Sequence, residues 1–194
     1  MRLAIIKYNA GNIQSVAFAL DRLGVDYIVT ENPEEISSAD KVIFPGVGEA
    51  STTMNFIREK KLDKVITNLR QPVLGICLGM QLMCAHSEEN NTTCLGIFDT
   101  AVKRFDSSLR LKVPHMGWNS LSQIKGWLDP SLEEKYVYFV HSYYVPLNTY
   151  TVATSEYGDS FSAGLQKDNF YAVQFHPEKS AEAGEIVIKS FMAV

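Results

Sequence analysis

Cysteine is scarce. Three residues carry it, Cys77, Cys84 and Cys94, an odd number with no Cys-x-x-Cys pair. A disulfide framework and a zinc ribbon are thereby unsupported. Excess basic charge is also missing. Lys and Arg total 18 against 22 Asp and Glu, a net charge of −4 with no basic block. Such a chain is poorly suited to bind nucleic acid or an anionic membrane surface. Long apolar runs are absent too. None approaches the ~18 residues of a spanning helix, and Leu3–Ile6 stops short of a secretory core of about 7–15. A cytoplasmic protein is the expectation. The sequence lacks G-x-G-x-x-G, G-x-x-x-x-G-K-[ST] and H-E-x-x-H, so those nucleotide and metal devices are not indicated, and neither metal nor cofactor is expected. No internal repeat or Pro/Ser-rich linker divides the 194 residues, and one domain over 1–194 is the economical reading.

What is present alternates. Leu3–Ile6, Tyr27–Val29, Lys41–Phe44 and Val73–Ile76 are short, wholly apolar runs, the mark of strands buried on both faces. Gly11 and Asn12 punctuate the first connection. Val16, Ala19, Leu20 and Leu23 then recur at helical spacing, with Gly24 in a C-cap position. Met54, Ile57, Leu62, Val65, Ile66 and Leu69 form one apolar helical stripe that Pro72 ends. Strands alternating with helices predict a parallel sheet covered on both sides. After about Cys94 the connections shorten. Trp118–Ile124, Tyr136–Val140, Tyr150–Thr154, Phe161–Leu165 and Tyr171–Phe175 read as strands, some antiparallel, and Ala181–Met192 as a final helix. The fold class is α/β, with a mixed, largely parallel central sheet flanked by helices.

The densest chemical signal is Gly75–Gln81, where an apolar strand runs into Gly-x-Cys-x-Gly and a helix-compatible segment. This is a nucleophile elbow with sulfur in place of the serine oxygen. Small residues two before and two after Cys77 leave room for the sharp turn, and a helix N-terminus favours the thiolate. A buried cysteine in a glycine-containing turn is the plain alternative, and it is the reading kept for Cys84 and Cys94. A thiolate nucleophile needs a base and an orienting group. His176 ends an apolar strand, where α/β proteins place their ligand crevice, and Glu178 follows two residues on behind Pro177. His86 lies in a polar stretch, most simply a solvated face. His115 and His141 also fit satisfied structural histidines. Pro45–Gly48 leaves another strand end, where glycines let backbone N–H groups approach a ligand.

Taken together, Gly75–Gln81, His176–Glu178 and Pro45–Gly48 resemble the class I (triad) glutamine amidotransferases, whose fold is flavodoxin-like. Tyr8–Asn12, Pro114–Asn119, Tyr138–Tyr143 and Gln174–Ser180 are similar to the branch formed by the glutaminase subunits of imidazole glycerol phosphate synthases, which act in histidine biosynthesis. The resemblance spans essentially the whole chain. It implies that Cys77, His176 and Glu178 are catalytic and that Val47 and Leu78 supply oxyanion-hole N–H groups. It implies glutamine binding by Gly46, Gly48, Gln81, Glu89, Ser142 and Tyr143. It further implies a partner, a cyclase subunit with a (β/α)8 barrel that receives ammonia, contacted through Asn12, Pro114, His115, Met116, Trp118, Tyr138 and Lys179. Paralogous proteins feed other ammonia-using syntheses, including surface-sugar modification. The remaining alternatives are a thiol hydrolase on the same scaffold and a binding protein without catalysis.

Overall fold

The protein is described by a computed structural model covering residues 2–9, 12–106 and 111–194; Ala10 and Gly11, within the Tyr8–Asn12 segment, lie outside the described residues. The first half alternates as expected: β1 (Leu3–Ile6), α1 (Ile13–Arg22), β2 (Tyr27–Thr30), α2 (Pro33–Ser38), β3 (Lys41–Phe44), α3 (Ala50–Glu59), α4 (Leu62–Thr67), β4 (Val73–Ile76) and α5 (Leu78–Met83). The second half carries β5 (Cys84–Ser87), β6 (Thr92–Thr93), β7 (Phe98–Arg104), β8 (His115–Ser120), β9 (Tyr136–His141), β10 (Tyr143–Tyr144), β11 (Thr151–Tyr157), β12 (Asp159–Lys167), β13 (Phe170–Val173) and α6 (Ala181–Ala193).

A seven-stranded sheet runs in the order β11-β12-β13-β4-β3-β1-β2. From β13 to β2 every pairing is parallel, and β11 and β12 extend the sheet antiparallel. Successive strand side chains point to opposite faces. Leu3, Ile5, Ile43, Leu74 and Ile76 therefore meet Val16 and Leu20 of α1 and Ile188 and Phe191 of α6. Ala4, Ile6, Val42, Phe44 and Val73 meet Met54, Ile57, Leu62 and Ile66 of α3 and α4 on the other side. A four-stranded sheet, β10-β7-β5-β6, and the hairpin β8-β9 complete the molecule.

Several expectations change in detail. The single stripe from Met54 to Leu69 is two helices, interrupted where Lys61 takes a left-handed φ of 57°. The apolar period survives the break because both helices bury the same side. The strand expected at Trp118–Ile124 is His115–Ser120, since pairing follows β9 from His115↔His141 to Ser120↔Tyr136 and ends where β9 begins. Thr151–Tyr157 and Asp159–Lys167 reach further than the apolar cores of those strands, because they close a long antiparallel hairpin. His86 sits half-buried on strand β5, and its ring meets Asn91 Oδ1 at 2.9 Å in an exposed contact, in keeping with a polar face. Gly24, at φ +66°, caps α1 as anticipated, its N–H bonding Asp21 O.

Candidate active site

The elbow is built by close approach. Cys77 holds φ 52° and ψ −107° between β4 and α5, and its N–H donates to Val173 O at 2.8 Å. A non-glycine residue in that conformation stores strain that the surroundings must sustain. A Cβ on Gly79 would collide with the Phe44 carbonyl, and one on Gly75 would sit 2.9 Å from Met83 Sδ and 3.0 Å from the Gly79 and Met80 backbone. Both glycines are therefore steric requirements of the turn.

Strand β13 lies beside β4 in parallel register, Val173 opposite Ile76, so its C-terminal end emerges beside the elbow. His176 follows there, fully buried, with Nδ1 at 2.7 Å from Glu178 Oε1. The carboxylate, an acceptor, fixes the imidazole proton on Nδ1. Nε2 has no hydrogen-bond partner among the described residues. Burial alone would lower the pKa of His176, but the neighbouring Cys77 sulfur and the bond and charge of Glu178 outweigh it and raise it to about 10. The structure thus favours an imidazolium poised between sulfur and carboxylate.

Asn12 takes a place the sequence reading did not assign. Its Nδ2 donates to Glu178 Oε1 and lies 3.4 Å from His176 Nδ1. Expected at a partner surface, it is half-buried and ties α1 to the carboxylate. His115 is likewise no surface residue. Its ring is 4% exposed, stacks against Tyr157 and Phe139, and bonds His141. Pro114 is half-buried in the wall of the cavity at Cys77. Met116, Trp118, Tyr138 and Lys179 do share an outer face. Met116 and Trp118 are exposed on β8, alternating with buried His115, and the Lys179 ammonium lies over the Tyr138 ring.

A cavity of about 280 Å³ opens at Cys77, bounded by Val47, Gly48, Leu78, Gln81, Glu89, Ser142 and Tyr143, with Val140 and His141. Glu89 is half-buried there. Burial raises its pKa, the Ala50 N–H bond opposes the rise and Glu49 adds to it. One of its oxygens accepts from Ala50 at 2.8 Å. Gln81 donates from Nε2 to Tyr143 O at 2.9 Å and to Gln174 Oε1 at 3.0 Å, leaving only its own Oε1 free of those two bonds. Gly46 lies behind the cavity, packed so closely that a Cβ would strike the Tyr8 hydroxyl. That hydroxyl donates to Pro45 O and holds the loop.

The two expected oxyanion donors do not converge in this state. Leu78 N–H donates to Gly46 O at 3.2 Å. In a trans peptide the carbonyl and the next N–H point oppositely, so Val47 N–H faces away. The sequence reading also assigned no role to Gln174, whose Nε2 is 3.6 Å from Cys77 Sγ. The available signal was a polar amide inside the apolar run Phe170–Phe175.

Comparison with known proteins agrees with this architecture. A family model described as glutamine amidotransferase class-I matches residues 4–193. The chain is 60% identical to the imidazole glycerol phosphate synthase subunit HisH of Bacteroides fragilis (strain YCH46), over 99% of each chain. It is 58% identical to the protein of the same name from Bacteroides thetaiotaomicron, again over 99% of each. A solved structure of a glutamine amidotransferase from Thermotoga maritima superposes with a TM-score of 0.65 at 17% identity, covering 100% of this chain and 83% of that one, a likeness of fold. A family match of that length, with relatives of that identity, means that the chain belongs to the class-I glutamine amidotransferase family.

Proposed function

We propose that the chain is the glutaminase subunit of an imidazole glycerol phosphate synthase. It hydrolyses glutamine to glutamate and ammonia for a synthase partner. The observation that carries the chemistry is the buried His176–Glu178 bond of 2.7 Å beside an elbow cysteine. Near-full-length relatives at about 60% identity that bear the synthase-subunit name support the choice of pathway over a paralogous one.

Cys77 Sγ attacks the side-chain carbonyl carbon of glutamine. The carbonyl electron pair moves to oxygen, and the oxyanion is met by Leu78 N–H and, after the Gly46–Val47 peptide rotates, by Val47 N–H. Each such donor is worth about 3–4 kcal/mol. His176 delivers its Nε2 proton to the departing nitrogen, and ammonia leaves a γ-glutamyl thioester. Neutral His176 then takes a proton from water, hydroxide adds to the thioester, and glutamate departs as the thiolate returns. Glu178 keeps the ring oriented and supports its positive charge. Glu89 receives the substrate α-ammonium. Ser142 and Tyr143 hold the α-carboxylate, partly through backbone groups.

The partner is a cyclase subunit with a (β/α)8 barrel, docked on the face of Met116, Trp118, Tyr138 and Lys179. An exposed Trp beside Met and Tyr is a common anchor of such interfaces. The test is glutamate release from glutamine by the chain alone and with the cyclase and its nucleotide ligand, with Cys77→Ala as control. Activity that rises with the cyclase and disappears in C77A is expected. Activity retained in C77A sinks the mechanism, and no response to the cyclase sinks the partner.

A further inference from the structure

We propose that Gln174 is a positioning residue for the nucleophile, an amide donor that holds the Cys77 sulfur when it carries negative charge; the inference rests on reading Cys77 as the nucleophile. Gln174 is fully buried on the segment joining β13 to His176, with its backbone N–H on Ala163 O. Its side chain has an orientation that the neighbours dictate. The Tyr143 carbonyl can only accept, so Gln81 must present Nε2 to it, at 2.9 Å. The second hydrogen of that nitrogen reaches Gln174 Oε1 at 3.0 Å. Gln174 must therefore turn its own Nε2–H groups the other way, where Cys77 Sγ lies at 3.6 Å. One carbonyl thus orients two buried amides and aims an N–H at sulfur.

A hydrogen bond to an ionised acceptor is stronger than one to its neutral form, so this donor favours the thiolate over the thiol. It also distinguishes the reaction's stages. When sulfur forms the C–S bond its charge passes to the substrate oxygen, and the N–H···S contact weakens. When the C–S bond breaks, the electron pair returns to sulfur and the contact strengthens again. Gln174 therefore assists expulsion of the thiolate in the second half-reaction. The alternative role, a buried amide merely satisfied by the sulfur, predicts that removing the donor leaves the reactivity of Cys77 unchanged.

The test is the pH dependence of Cys77 alkylation by iodoacetamide on the whole chain, without glutamine or partner, read by mass spectrometry of the Cys77 peptide. Buried Cys84 and Cys94 report any loss of structure. Gln174→Met, close in volume but without the donor, is expected to move the half-maximal pH up by about 1, roughly a tenfold loss of rate at the original midpoint. Gln81→Met, which removes the group orienting Gln174, is expected to move it in the same direction by less, and serves if Q174M fails to fold. In the unaltered chain the Gln174 side-chain amide protons, followed by NMR, are expected to shift with the alkylation midpoint. A profile that superposes on the unaltered protein in a folded variant overturns the proposal, as do amide resonances indifferent to that midpoint. Because no glutamine is used, failure here leaves the glutaminase reading intact, and failure to hydrolyse glutamine leaves this result intact.

Discussion

Acid should destabilise this protein through one buried pair, His115 and His141. His141 Nδ1 lies 2.7 Å from Tyr143 O, which can only accept, so that nitrogen carries the proton. His141 Nε2 must then accept, and it does so from His115 Nδ1 at 3.0 Å. Asn119 Nδ2 approaches the remaining His115 nitrogen at 3.4 Å. The chain of bonds requires both rings neutral. Burial lowers His115 to about 4. Burial lowers His141 to about 3, with the Tyr143 bond opposing and the charges of His115 and His176 reinforcing. Both folded values lie below the unfolded value of about 6.5. The stability they represent is present above about 6.5 and is lost as pH falls toward 3–4. Each histidine contributes a slope that grows from about half of ~1.4 kcal/mol per pH unit at pH 6.5 toward the full value below it, so the fall from about pH 6.5 to about 5 removes roughly 3 kcal/mol for the pair. Small domains have only about 5–15 kcal/mol in total. His176, raised above 6.5, is protonated in the folded state throughout that window and adds no loss of stability there. Urea unfolding at several pH values, with a common m-value, measures the effect. His115→Phe should cost about 1–2 kcal/mol near neutrality, from the lost bond to His141, and halve the slope. Equal stability across the window, or a full slope in H115F, would refute the reasoning.

Two further outcomes test the elbow and the triad. Gly79→Ala drives a Cβ into the Phe44 backbone carbonyl, which cannot yield as a flexible side chain can. A loss above ~4 kcal/mol is expected, seen as a collapse in melting temperature or soluble yield, and a native melting temperature would contradict the packing. Glu178→Gln preserves shape but removes the charge that holds the His176 imidazolium. Glutaminase turnover with the cyclase bound should fall about 10²–10⁴-fold with an unchanged circular dichroism spectrum, and undiminished turnover would remove Glu178 from the mechanism.

Much of this was written locally in the chain. Four apolar runs and the helices between them specify a parallel sheet, because a strand without a polar face must be covered on both sides. The elbow is legible because its spacing is itself the steric demand: glycine on each side of a cysteine that no larger neighbour permits. The face of Met116 and Trp118 follows from alternation along one strand once that strand's register is known. What the residue order left open concerned distance. A period of apolar residues continues across Lys61 whether or not the helix does, so the break between α3 and α4 was invisible. Asn12 and Glu178 are separated by 166 positions, and Gln174 and Cys77 by 97. No local pattern encodes such meetings. They arise because β13 pairs with β4 and returns the end of the chain to the elbow. Likewise His115, which fits a structural histidine or, by resemblance, a partner contact, is buried because β9 and the Tyr157 ring close over it. Local chemistry determined which residues could react; the order of strands in the sheet decided which of them touch.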